Sequence, residues 1–310
     1  MIPSAANSAP GLCDTGLAQI EKWMDGYVES GKSAGMLALI CRDGEIASLT
    51  CRGYADIANA RPLEVDTIFR LYSMTKPITS VALMTLMEQG LFELDDPAKR
   101  WIPALAGLEV YPHQKMESDI TIRQLLTHTA GFSYGFEPDK YPLDRLYSKL
   151  WRQRSQNQTL EELMKTLFEL PLLTQPGSRW HYSVATDICG YLVELISGMP
   201  FADYLQQTIL DPLGMTDTAF EVSADKLDRF ATLYGYTEDD PLAQIEHVET
   251  SPFIPAVSGI PVKMHSGGGG LTSTALDYLN FAQMMLNRGE LDGQRIVAQV
   301  LGRTRRTSRP

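Results

Sequence analysis

The chain has 310 residues, 44% of them hydrophobic, enough for a sizeable core in one large domain or two interleaved ones. Its formal net charge of −11 argues against nucleic acid or an anionic membrane as the main partner. No apolar run is long enough to span a bilayer, and Met1–Thr15 lacks the charged and apolar regions of a signal peptide, so a cytoplasmic location is the expectation.

The first predicted element is a helix over Gly16–Gly31, where Leu17, Ile20, Trp23, Met24 and Tyr27 recur at helical spacing. Met36–Cys41 and Glu45–Cys51 read as two strands joined by the turn Asp43-Gly44. Counted outward from that turn, Arg42 faces Glu45, Cys41 faces Ile46 and Cys51 faces Met36. A disulfide between Cys41 and Cys51 is therefore not expected, and reduced thiols fit the cytoplasm. With Cys13 and Cys189 the four cysteines match no zinc spacing, so neither a metal nor another cofactor is expected.

After a loop comes Phe69-Arg70-Leu71-Tyr72-Ser73-Met74-Thr75-Lys76, then an apolar helix through Val81, Leu83, Met84, Leu86 and Met87 that stops near Gly90. Further helices are predicted over Thr121–His128, Thr159–Glu169, Ala185–Ser197 and Ala202–Ile209, punctuated by proline and glycine. The one low-complexity tract is Gly267–Gly270. A last helix runs from Ser273 to about Asn287, and the chain closes on a basic stretch from Arg303 to Pro310. Two readable strands make a marginal sheet, so further strands must come from elsewhere.

Ser73-Met74-Thr75-Lys76 is the strongest chemical signal. Residues three apart share a helix face, and a serine in the first turn lies at the positive end of the helix dipole. Lys76, one turn on, is placed to take or relay the serine proton. Such a four-residue pattern arises roughly once by chance in a chain of this length, and it does recur at Ser223-Ala224-Asp225-Lys226. That copy has no apolar helix behind it and reads as surface. Ser133, in Gly131-Phe132-Ser133-Tyr134-Gly135, matches the nucleophile-elbow pattern, but a helix enters it and a loop leaves, where a strand and a helix are required. Tyr182, just before a helix, either packs with a polar handle or points its hydroxyl into a cleft.

The ordered set Ser73-Met74-Thr75-Lys76-Pro77, Leu125-Leu126-Thr127-His128-Thr129-Ala130-Gly131, Tyr182-Ser183-Val184 and Gly267–Gly270 with Leu271-Thr272-Ser273-Thr274-Ala275-Leu276-Asp277-Tyr278 resembles the β-lactamase-related, penicillin-binding-protein-like serine hydrolases. The closest branch is the family VIII carboxylesterases, which resemble class C β-lactamases. The likeness covers about Gly16 to Ile296, and the basic tail falls outside it. It implies an α+β, β-lactamase/transpeptidase-like fold: an antiparallel sheet flanked by helices, with a large helical domain. Residues 1–80 and 280–310 would form the sheet domain, incomplete here, and 81–279 the helical one, with the active site between them.

By that resemblance Ser73 is the acylated nucleophile, with half of the oxyanion hole from its own N–H. Lys76 and Tyr182 share the acid and base work. Tyr72, Phe132, Tyr134 and Val184 are implied as substrate-binding residues, and His128 is structural. The implied activity is hydrolysis of short-chain carboxylic esters, with weak action on β-lactams. A peptide hydrolase acting on D-alanine peptides, an acyltransferase, and a truncated, catalytically impaired remnant that only binds acyl groups are the alternatives. Two departures stand out. Val184 occupies the place of the asparagine in the β-lactamase Tyr-x-Asn motif, and no Lys-Thr-Gly or Trp-Gly-Gly-like triplet follows Gly270. A shortened, weakly active or inactive chain is thus expected. The expected partner is a small-molecule ester, with no nucleic acid and no membrane; association through an exposed sheet edge is the one protein contact foreseen.

Overall fold

The Asp43-Gly44 turn organises the first part of the chain. Both residues adopt positive φ (52° and 85°), the conformation of a type I′ hairpin, whose twist suits the flanking strands. A computed structural model describes residues 12–153, 158–235, 243–244 and 262–299. Helix α1 (Asp14–Glu29) precedes the hairpin of β1 (Gly35–Arg42) and β2 (Glu45–Asp56). A short β3 (Arg61–Pro62) adds to β2, giving an antiparallel sheet of order β1-β2-β3.

The expected register holds next to the turn, where Arg42 faces Glu45 and Cys41 faces Ile46. It then slips: Ile40 faces Ser48, so Ala47 is an extra, bulged residue and Cys51 faces Leu37, where the sequence placed Met36. A bulge adds one residue to one strand and leaves no mark in an alternating pattern this short. The two cysteines still face different partners, and all four are unpaired.

Helix α1 lies on β2, tied by Arg52, whose guanidinium bridges Asp25 at 2.6 Å and Glu21 at 3.1 Å. Of the five apolar positions expected on its inner face, only Met24 is fully buried. Trp23 and Tyr27 are exposed and pack on each other at a tilt, ring centroids 4.6 Å apart.

Strand β4 (Phe69–Arg70) leads into a 3-10 turn over Tyr72–Met74 and then α2 (Thr75–Glu88). Ile78, Ala82 and Leu83 on α2 are fully buried, and Gly90 ends the segment at φ 74°. The hairpin β5 (Glu109–Val110) and β6 (Gln114–Lys115) precedes α3 (Ile122–Leu126), α4 (Asp144–Gln153), α5 (Leu160–Leu167), α6 (Ala185–Ser197) and α7 (Phe201–Leu205). A π-helical turn over Gln206–Leu210 extends α7. Strand β7 (Tyr234–Gly235) pairs with β8 (Ala243–Gln244). Then come β9 (Thr272–Ser273), α8 (Ala275–Leu286) and the hairpin β10 (Glu290–Leu291) and β11 (Gln294–Arg295). The basic stretch 303–310 lies outside the described residues.

Helix α4 was not expected, because Pro142 and its many charged residues mask the pattern. Its signal is nonetheless present: Tyr147, Leu150 and Trp151 fall three and four apart, and all are buried.

Helices α2 and α6 pack on each other at the centre, and α3, α5 and α7 pack on α6. One apolar cluster runs from Leu71 through these helices to Met284 on α8 and Val297 beyond it. A long-range pairing, β4 with β9, joins Phe69 to Ser273 and Arg70 to Thr272 and so brings the start of α2 against the glycine tract.

Helix α3 starts in a capping box. Thr121 Oγ1 accepts from Gln124 N, and the Gln124 side chain accepts from Thr121 N. Thr121→Ala is expected to lower stability by about 1 kcal/mol. Urea unfolding checks this, and an unchanged midpoint would show that the cap is dispensable.

Candidate active site

Ser73 sits on the 3-10 turn just before α2, one step outside the helix in which the sequence placed it. Tyr72 before it holds φ at 47°, a left-handed conformation that a bulky residue keeps only when its surroundings impose it. The surroundings here are the segment after the glycine tract. Leu71 N donates to Leu271 O at 2.9 Å, Leu271 N donates to Thr75 Oγ1 at 3.2 Å, and Tyr278 Oη donates to Met74 O at 3.1 Å. The turn is thus held on both flanks, and Ser73 is left exposed.

Lys76 and Tyr182 converge on that serine. Lys76 Nζ donates to Ser73 Oγ at 3.2 Å, and Tyr182 Oη donates to the same oxygen at 2.5 Å. Lys76 is buried; its ammonium also donates to Gly268 O at 2.6 Å and lies 4.7 Å and 5.1 Å from the ring centroids of Tyr182 and Tyr134. A hydroxyl flanked by an amine and a phenol within proton-transfer reach is the arrangement a nucleophilic serine needs.

His128 clamps the tyrosine from behind. Its backbone oxygen accepts from His181 N at 2.9 Å and its Nδ1 accepts from Ser183 N at 3.3 Å, so Tyr182 is gripped at both neighbours. Burial, followed by the nearby Lys76 cation, pushes the His128 imidazole down to about 4. It is therefore neutral, as an acceptor of a backbone N–H must be.

The four implied substrate-binding residues differ in their exposure. Phe132 and Val184 are fully buried and Tyr134 nearly so; they belong to the core and offer a ligand no surface. Tyr134 turns its hydroxyl to Asp187 Oδ2 at 3.4 Å. Only Tyr72 is partly open, and burial raises its phenol above the ordinary value.

Ser133 has no exposed surface. Its Oγ donates to Asp144 Oδ1 at 2.6 Å, accepts from Gly135 N at 3.1 Å and lies 3.2 Å from His181 Nε2. In a catalytic triad the histidine bridges serine and carboxylate; here serine bridges the other two and organises the loop. In the second Ser-x-x-Lys copy, Lys226 binds Asp217 Oδ1 at 2.9 Å and Thr216 O at 2.8 Å.

Sequence reasoning missed Asp187. It is 1% exposed in the first turn of α6, and its Oδ1 accepts from Ser266 Oγ at 2.5 Å and from Gly268 N at 3.1 Å. Its signal was a carboxylate five residues after Tyr182, inside an otherwise apolar helix.

A fold of this kind with a Ser–Lys–Tyr cluster is that of the penicillin-binding-protein-like serine hydrolases, and the family model described as Beta-lactamase matches residues 20–310. The chain belongs to that family. The match runs through the basic stretch that the sequence reading set apart. An uncharacterised protein of Mycobacterium tuberculosis is 37% identical over 289 residues, spanning 91% of this chain and 69% of the relative. Esterase EstB of Burkholderia gladioli is 33% identical over 276 residues, 84% of this chain and 68% of EstB. Among solved structures, EstCE1, a hydrolase with promiscuous acyltransferase activity, superposes with a TM-score of 0.78 at 29% identity, covering 91% of this chain and 75% of that one. The fold is β-lactamase/transpeptidase-like, mixing helices with small sheets. The chain spans about seven tenths of these relatives' length.

The depressed His128 makes stability depend on pH. The unfolded chain takes up a proton on this side chain below about 6.5, while the folded protein resists it down to about 4. Stability therefore falls as the pH drops through that window and levels off beneath it. His181 and His265, both lowered by burial, act in the same direction. Urea unfolding between pH 7 and pH 4 should show this loss, and His128→Gln should show a smaller one; equal slopes would remove His128 from the account.

Proposed function

We propose that this protein hydrolyses short-chain carboxylic esters through an acyl-enzyme on Ser73. The observation that carries the reading is the convergence of Lys76 Nζ and Tyr182 Oη on one exposed serine oxygen, at 3.2 Å and 2.5 Å. With one proton already off the Lys76–Tyr182 pair, Ser73 Oγ bonds to the ester carbonyl carbon as its own proton passes to that pair. The Ser73 N–H, near the positive end of α2, supplies one donor to the oxyanion. The bond to the alcohol then breaks, and the departing oxygen takes the proton back. Water adds to the acyl-enzyme by the same proton route, releasing the carboxylic acid and restoring Ser73.

Val184, buried where β-lactamases carry asparagine, adds no polar group to the cleft, which suits an esterase with at most weak action on β-lactams. The reading calls for a small-molecule ester and for no nucleic-acid or membrane partner, in keeping with the net charge of −11. Four unpaired cysteines fit a reducing compartment such as the cytoplasm.

Acyl transfer is the second reading, favoured by the likeness to EstCE1. It differs only in the acceptor, an alcohol in place of water. Hydrolysis of p-nitrophenyl butyrate, with and without added short alcohols, separates the two: a new ester at undiminished p-nitrophenol release marks the transferase. One-to-one labelling of Ser73 without turnover would mark an acyl-binding remnant and defeat both.

Ser73→Ala is expected to abolish turnover and fluorophosphonate labelling. Ser133→Ala should keep labelling while lowering stability by about 1–3 kcal/mol, because it strips a partner from a buried carboxylate. The reverse pattern would reassign the nucleophile. Lys76→Ala and Tyr182→Phe should each slow acylation by about 10²–10⁴-fold; wild-type rates in both would end the Ser–Lys–Tyr mechanism.

A further inference from the structure

Lys76 carries its charge into the interior, yet among the described residues it forms no ion pair. Its shortest contact is the carbonyl of Gly268. That carbonyl lies in a run of four glycines, which has no side chains with which to fix itself. A backbone so free to rotate holds one direction only if something outside it does the holding.

At Gly268 the outside group is Asp187. One carboxylate oxygen receives both Ser266 Oγ and Gly268 N, clamping the loop at its entrance and at the residue that binds Lys76. The other oxygen receives the hydroxyl of Tyr134, whose ring lies beneath the Lys76 ammonium. The fit leaves no room: a Cβ on Gly268 would fall 2.3 Å from Asp187 Oδ2 and 2.6 Å from Tyr134 Oη. Glycine at 268 is thus required by the closeness of the carboxylate.

Charge points the same way. A carboxylate at 1% exposure is costly to bury unless it is compensated. Asp187 has three hydrogen-bond donors, the N-terminus of α6, and the Lys76 cation one residue of backbone away. Both charges act on His128, the anion in one direction and the cation in the other, as fits a pair sharing one pocket.

We infer that Asp187 is a positioning residue for acylation: it orients the Gly268 carbonyl that aims Lys76 at Ser73, and it is the buried counter-charge to the Lys76 ammonium. The inference rests on the proposed Ser73 chemistry and adds the residue that orients its lysine.

The test compares wild type with Asp187→Asn, which keeps shape and an acceptor oxygen but removes the charge, and with Asp187→Ala. The readouts are the fluorophosphonate labelling rate of Ser73, kcat and KM for p-nitrophenyl butyrate across pH, and the thermal midpoint. Asp187→Asn should lose about 10²-fold in labelling rate and kcat with little change in KM. Its pH–rate profile should move relative to wild type, which loss of folded protein alone would not produce. Activity lost only in proportion to folded protein, with the pH profile unmoved, would mean a purely structural role and overturn the inference. So would wild-type kinetics in Asp187→Asn. A measurement independent of turnover separates this from the function itself: NMR titration of the lysine 13Cε signal that is absent in Lys76→Arg. An Asp187→Asn titration identical to wild type overturns the coupling even if Ser73 is active. A titration displaced toward acid sustains it even if wild-type Ser73 resists labelling, which would count against the esterase reading alone.

Discussion

Everything at this site depends on one hydrogen bond, from the Lys76 ammonium to the carbonyl of Gly268, which joins residues 192 apart in the chain. For it to form, the glycine tract must lie directly on both α2 and α6. The tract is bare on every side that matters. A Cβ on Gly267 would meet Thr186 O at 2.7 Å, one on Gly268 would meet Asp187, and one on Gly270 would meet Ser266 O at 2.9 Å. Removing side chains lets three backbones approach closely, and the bonds of Thr79 Oγ1 to Gly267 O and Leu271 N to Thr75 Oγ1 then sew them together.

The same closeness explains why so many polar groups are buried here. Thr75, Lys76, Thr79, Ser183, Asp187 and Ser266 are all shielded, and each has a hydrogen-bond partner. A buried network in which every member is satisfied specifies one arrangement, since any slip would strand a donor or acceptor in low dielectric. The exposed serine is therefore mounted on a rigid base, with Tyr72 in its left-handed conformation as the visible trace of that constraint.

Much of this was legible in sequence where the signal was local. The spacing of Ser73 and Lys76, the Asp43-Gly44 turn, the helix starts at Thr121 and Thr159, and the full extent of α6 all express rules that act within one or two turns of chain. Those that failed needed a distant partner. The bulge at Ala47 shows only when two strands are aligned. Phe132 and Val184, implied at the cleft by the family resemblance, are fully buried in the core, a depth that only the packed helices reveal. In sequence Asp187 is a single carboxylate near the start of α6. Its meaning lies in a glycine tract 81 residues on.

The β4–β9 pairing has a consequence in time. Ser73 leaves the ribosome long before Gly268 does, and the segment that orients Lys76 follows 192 residues later. At ordinary rates of synthesis that interval is roughly 10–40 s. Throughout it Ser73 is present while Lys76 lacks its Gly268 carbonyl. The Lys76–Gly268 bond can form only after the glycine tract has been made, so the convergence on Ser73 is completed late in synthesis.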